Sequence, residues 1–137
     1  SQEWAVSRQL SLRAEGESQP LWVEANPAQL QEILLHVIEN ALWASEQSGG
    51  GEVVIRARSQ GDWAELLITD DGPGVDPSLS QKIFEPFFTT RPMGEATGLG
   101  LAISRRLAQG FGGDLLLIQS SGQGSTFCLR LPSKATA

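Results

Sequence analysis

The sequence predicts an α/β protein of the α+β kind, with a mixed or largely antiparallel sheet and helices packed on it. Three observations carry this. Apolar residues alternate with polar ones at a period of two in several short segments, such as Leu10 to Ala14, Val53 to Arg58 and Thr126 to Leu131. Between Leu30 and Ala41 the apolar residues instead follow the helical i, i+3, i+4, i+7 spacing. The strands also come in pairs and do not alternate one by one with helices, which disfavours an all-parallel sheet.

Gln9 to Ala14 reads as a half-buried strand, "GESQP" as a turn and Leu21 to Ala25 as a second short strand. Asn26 then stands at a helix N-cap, with Pro27 at the first helical position and Gln29 completing a capping box. In the helix that follows, Leu30, Ile33, Leu34, Val37, Ile38 and Ala41 form the apolar face, and Glu32, Glu39 and Glu46 fall opposite. "SGGG" ends it. Val53 to Arg58 and Trp63 to Thr69 form a hairpin around "SQGD". "DDGPGV" breaks the pattern. "DPSLSQKIF" reads as a short helix capped by Asp76, and "TTRPMGEAT" as a polar, flexible loop. A helix from about Leu99 to Gln109 stops at Gly110. "DLLLIQS" and "TFCLRLP" close the chain as two strands joined by "SGQGS", and the residues after Pro132 read as a tail.

At 137 residues the chain fits one domain with a proper core. We place that domain at residues 1–132, with 1–8 as the end of a linker and 133–137 as the tail. A formal charge of −6 argues against a broad nucleic-acid footprint, so no nucleic-acid partner is expected. The single cysteine, Cys128, excludes an intrachain disulfide and sits in an apolar alternation as a buried small hydrophobe. No apolar run approaches the roughly 20 residues that cross a bilayer, so no membrane contact is expected of this domain. A reducing, cytoplasmic setting fits both features, with the full-length protein open to anchoring in an inner membrane.

Four stretches carry candidate chemistry. Asp70 shares the apolar face of its strand with Ala64, Leu66 and Ile68, which puts a carboxylate at the edge of the core. Such a group needs donors, and the exocyclic amine of adenine is one. Gly72 and Gly74 let a second surface come close, although Asp71-Gly72 is also a common turn pair. In "HVIEN", His36 and Asn40 are four apart at the rim of the helix's apolar stripe. The Asn40 amide oxygen suits Mg²⁺ held by few protein ligands and phosphates, and His36 could orient or deprotonate a water. As ordinary surface polar residues they would do neither.

Gly98 and Gly100 open a helix, where unpaired N–H groups and the positive end of the dipole favour an anion and the missing Cβ lets a phosphate approach. Neither a P-loop nor a dinucleotide fingerprint is present. Phe84, Phe87 and Phe88 are expected to pin the start of the preceding loop to the body. Arg91 is either a phosphate partner or a solvated loop cation. In the last hairpin, Ser125 or Thr126 could add a hydroxyl to a pocket.

The order and spacing of these stretches are more telling than any one of them. Asn40, then Asp70-Asp71-Gly72-Pro73-Gly74, then "FEPFF", "TGLGLAIS" and "GQGSTF" resemble the successive boxes of the ATP-binding catalytic domain of sensor histidine kinases. That domain type is shared with gyrase, Hsp90 and MutL. The resemblance runs from about Leu10 to Pro132. It implies a two-layer sandwich, the Bergerat fold, with a mostly antiparallel sheet and helices on one face, and it implies ATP and Mg²⁺ as ligands.

Residue by residue, the resemblance makes Asp70 the adenine-recognising acid, with Gly72 and Gly74 lining the adenine side. It makes Asn40 the Mg²⁺ ligand and gives His36 a catalytic or orienting role. The run Thr97, Gly98, Leu99, Gly100 and Leu101 would meet the phosphates, and Thr89 to Thr97 would form a lid over the nucleotide. Thr126 would back up the adenine through water. The chain departs from the family at Ala96, where a first glycine is common, at His36, where many members carry Asn, and at Trp43, where Lys or Arg is frequent.

The phosphoacceptor pattern of a His followed by an acid on a long dimerisation helix is absent from this stretch. The resemblance therefore implies a catalytic domain of a larger kinase. Its γ-phosphoryl acceptor would be a histidine on a dimerisation domain elsewhere, and a response regulator would lie downstream. Two other readings use the same pocket or none: an ATP hydrolase or anti-sigma-type serine kinase, and a degenerate nucleotide-binding module.

Overall fold

The computed structural model describes residues 2–5, 11–15, 21–49, 51–89 and 99–134. The elements in chain order are β1 (Gln2–Ala5), β2 (Ser11–Glu15), β3 (Trp22–Val23), α1 (Pro27–Gln47), β4 (Glu52–Gln60), β5 (Trp63–Asp70), α2 (Gly100–Gly110), β6 (Asp114–Ser121) and β7 (Gly124–Lys134). They build a seven-stranded sheet in the order β1-β2-β4-β5-β7, with β6 on the free side of β7 and β3 paired to its last residues. Among the described residues only β2 and β4 run parallel, and α1 lies in the crossover between them. Every other pair is antiparallel, so the sheet is mixed and mostly antiparallel, as the paired strands predict.

Local chemistry sets the elements where the pattern places them. The Asn26 side chain accepts the Gln29 N–H at 3.0 Å and caps α1. Ile33, Val37 and Ala41 bring the helix's apolar stripe to full burial, and Leu30 and Leu34 pack at its margin. They meet Val53, Ile68, Leu115, Phe127, Leu129 and Leu131 of the sheet and Ala108 of α2 in one core. Both helices therefore cover the same face.

The opposite face has its own feature. Glu65, 2% exposed, takes a 2.7 Å bond from Arg58 and a 2.9 Å bond from Arg130 on the flanking strands. Arg130 also lies 5.0 Å over the Trp63 ring. Cys128 is buried on this face, next to Leu67, and burial pushes its thiol up to about 11.

Several details differ from the sequence reading. Residues 2–5, read as the end of a linker, pair with β2 as a strand. Ser133 and Lys134, read as tail, continue β7 and pair with β3. The short helix after Asp76 is two separate 3-10 turns, Pro77–Leu79 and Lys82–Phe84, although Asp76 does cap the first by accepting the Ser78 N–H at 2.9 Å. Helix α2 includes Gly110, and the left-handed residue that turns the chain is Gly112, with φ +88°. The three phenylalanines part company. Phe84 packs edge-on against Phe127 with ring centroids 6.2 Å apart, and Phe88 is half-buried. Phe87 is 74% exposed at φ 68°, a sterically costly conformation for an aromatic residue, so it pins nothing.

Candidate functional site

One side of α1 organises the site. His36, Asn40 and Ala44 succeed one another there at intervals of four residues, each step advancing about 6 Å along the axis. At one end, α2 begins so close that a Cβ on Gly100 would stand 3.1 Å from His36 Nδ1. At the other, the loop after β5 presses on the helix backbone, and a Cβ on Gly72 would stand 2.5 Å from the Ala44 carbonyl oxygen. Gly72 is thus required by close approach to backbone, whereas a Cβ at Gly100 would ask the His36 ring to give by a few tenths of an ångström. Asn40, half-buried, stands between them. His36 is 32% exposed, with Nε2 3.8 Å from the Glu32 carboxylate.

Asp70 ends β5 on the helix-covered face, the face its alternation with Ile68 predicts, and is 3% exposed. Its Oδ1 accepts the Gly72 N–H at 2.9 Å. Burial raises the Asp70 carboxyl above its ordinary 3.8, the N–H groups of Gly72 and Ser125 pull it partly back, and the neighbouring Asp71 charge adds to the rise. A nearly buried acid with few donors is a strong acceptor for a ligand N–H. Gly74, at φ +81°, turns the chain hard against the Ser121 carbonyl, where a Cβ would collide. Val75 N–H then donates to Ser120 Oγ at 2.7 Å, and Ser120 Oγ lies 3.1 Å from Ser125 Oγ. The loop 72–75 is in this way tied to the β6–β7 hairpin.

Pairing between β5 and β7 corrects one residue. Asp70 stands opposite Ser125 and Thr69 opposite Thr126, so Thr126 is on the other face of the sheet, its hydroxyl 2.9 Å from that of Thr69. Ser125, 4% exposed, is the hydroxyl beside Asp70. The signal was present in the sequence: Ser125 alternates with core-facing Phe127, Leu129 and Leu131.

No side chain caps α2 at Leu99, whereas α1 has Asn26. Leu99 has no side-chain acceptor to offer the first N–H groups of α2, which stand at the end of the helix that favours an anion. The Leu101 side chain packs against the core, which leaves its backbone N–H as its contribution at this helix start. Arg91, Thr97 and Gly98 lie outside the described residues, as does the lid segment apart from Thr89. The donor set that is described suits a nucleotide: an acid for the base, glycine surfaces for close approach and an uncapped helix start. For Mg²⁺ it offers the Asn40 amide oxygen, fitting a cation bound chiefly through phosphates.

Residues 25–135 match the family described as histidine kinase-, DNA gyrase B- and HSP90-like ATPase. The chain is 36% identical over 119 residues to the sensor protein TorS of Escherichia coli (strain K12), covering 86% of this chain and 13% of TorS. It is 40% identical over 111 residues to the signal transduction histidine-protein kinase AtoS of the same organism, covering 80% of this chain and 18% of AtoS. The structure aligns with full-length ShkA in complex with AMPPNP at a TM-score of 0.79 and 32% identity, over 92% of this chain and 26% of that one. It aligns with the mycobacterial sensor histidine kinase MprB at 0.77 and 31%, over 90% of this chain and 84% of that one. The chain spans between 13% and 28% of the length of these and similar curated relatives. The curled, mostly antiparallel sheet with two helices on one face is the histidine kinase catalytic-domain fold. From sheet order, site geometry and sequence likeness together, the chain belongs to the histidine kinase-, DNA gyrase B- and HSP90-like ATPase family, on the branch of the sensor histidine kinases.

Proposed function

We propose that this domain binds ATP with Mg²⁺ and delivers the γ-phosphoryl group to a histidine on a dimerisation domain of the same kinase, with a response regulator as the next acceptor. The observation that carries the reading is the Asp70 carboxylate, 3% exposed at one end of α1, with His36 and the uncapped start of α2 at the other. The adenine amine donates to Asp70. Gly72 and Gly74 admit the ring edge, and Ser125 stands beside the acid. The N–H groups of Gly100 and Leu101 donate to phosphate oxygens, with Thr97, Gly98, Leu99 and Arg91 assigned to the same end. Bound Mg²⁺ would neutralise charge building on the phosphates, and Asn40 is the residue to hold it.

In the transfer itself an imidazole nitrogen of the acceptor attacks the γ-phosphorus, the bond to the bridging oxygen breaks, and ADP leaves. Little covalent chemistry falls to this chain, which contributes position and charge stabilisation. A cytoplasmic location fits the use of ATP, and no helix among the described residues is long and apolar enough to cross a membrane.

Calorimetric titration with ATP and Mg²⁺ tests the binding. Asp70→Asn should weaken it about 10- to 100-fold, the equivalent of the 1.5–3 kcal/mol of a hydrogen bond to a charged acceptor. Unchanged affinity would refute the pocket. A second reading, ATP hydrolysis, is favoured by His36 lying beside Glu32 at the phosphate end, where it could orient a water. Incubation with labelled ATP and a histidine-bearing dimerisation domain separates the two: label on the added domain supports transfer, and free phosphate alone supports hydrolysis.

A further inference from the structure

Asp71, between the acid that would read the base and the glycine that admits it, is turned toward β4. The last backbone pair of β4 and β5 joins Val53 to Asp70. One step further the Asp71 side chain takes over the ladder, with Oδ2 accepting the Glu52 N–H at 3.0 Å. The Asp71 N–H donates to Ser45 Oγ at 3.3 Å, and the Ser45 hydroxyl donates to the Glu52 carbonyl at 3.5 Å. Ser45 is fully buried on α1. Three residues from α1, β4 and the loop after β5 thus close a ring.

The glycines on either side of the ring fit it closely. A Cβ on Gly51 would come within 2.6 Å of Asp71 Cγ and collide with Oδ2, so the absence of a side chain at Gly51 makes room for this carboxylate. Gly72, directly after Asp71, is the residue pressed on Ala44 and bonded to Asp70. Fixing residue 71 therefore fixes both the aim of the Asp70 carboxylate and the distance of Gly72 from the helix.

We propose that Asp71 is a positioning residue for base recognition, acting through Asp70 and Gly72 by its ring with Glu52 and Ser45. The inference rests on the nucleotide reading above. If Asp71 served only as a turn residue, its loss would lower stability without regard to which base is bound. As a positioning residue, its loss falls on the base, because a displacement of about 1 Å at a directed contact is costly.

The test measures dissociation constants for ADP and GDP on the 137-residue chain and its variants. Asp71→Ala should bind ADP about 10-fold more weakly and GDP no more weakly, so that the preference for adenine narrows. Asp71→Asn keeps an oxygen acceptor for the Glu52 N–H and should stay within about 3-fold of the parent. Gly51→Ala, which puts a methyl group on the carboxylate, should behave like Asp71→Ala and carries the test if that variant does not fold. An undiminished preference for ADP in the Ala variants, or an equal loss for ADP and GDP, overturns the proposal while leaving the nucleotide reading intact. A parent chain with no preference for ADP overturns both.

Discussion

The Asp70 carboxylate is held where water would ordinarily stabilise it and does not reach. Its raised pKa means that the folded state holds its proton more tightly than the unfolded chain does. Linkage then has a definite sign: the contribution to stability is present at acid pH and is lost as pH rises through the folded value. Asp70→Asn should accordingly melt no lower than the parent at pH 7 while binding ATP more weakly, and calorimetric scans beside titrations would show the two effects in opposition. A loss of both stability and binding would mean that Asn disrupts the site.

Ser104 has the reverse relation to function. Its hydroxyl is fully buried on α2 with no hydrogen-bond partner among the described residues. Ser104→Ala should raise stability by about 1 kcal/mol, since it removes an unsatisfied group and improves helix propensity. Urea unfolding measures this directly.

Among the elements, α1 combines structural and functional faces in one helix. Its buried stripe, Ile33, Val37, Ala41 and Ser45, anchors it to the sheet, and the adjacent rim presents His36 and Asn40. A helix this tightly fixed holds the two rim residues at set positions relative to α2 and the loop after β5. The cap at Asn26 stabilises its start, and Asn26→Ala should cost about 1 kcal/mol in denaturant unfolding. Because Asn26 is nearly three turns from His36 by sequence separation, nucleotide affinity should be unchanged in the folded fraction.

The capping, the apolar stripe and the rim positions were all readable in the residues, because each depends on neighbours within about one helical turn. The ring of Ser45, Glu52 and Asp71 was not. It joins residues 19 and 26 apart in sequence, and nothing local announces it. Ser45 alone could be placed, since it continues the buried stripe four residues after Ala41.

Over the whole molecule, the two faces of the sheet respond oppositely to acid. On the face away from the helices, burial pushes Glu65 up, but the hydrogen bonds and charges of Arg58 and Arg130 outweigh it and leave the pKa below the ordinary 4.5. Its stabilisation is present above that ordinary value and is lost as pH falls through the depressed one. Glu65→Gln should lower stability by about 1–3 kcal/mol at pH 7, the worth of charged hydrogen bonds discounted for guanidinium groups that are a third or more exposed. The difference from the parent should shrink as pH falls through the Glu65 titration. Urea unfolding at a series of pH values follows this, and a gap that stays constant with pH would rule out the charge interaction as its source.

The motifs, their order and the pattern of strands and helices are written in the residues themselves, because periodicity, capping and glycine placement act over a few residues. Tertiary structure alone decided that β2 runs parallel to β4 and that Glu65 is neutralised from both neighbouring strands. It also decided that Asp70 stands opposite Ser125, whose core-facing side the alternation already marks, since strand register is fixed by the packing of a whole face and a shift of one residue turns a side chain to the other side of the sheet.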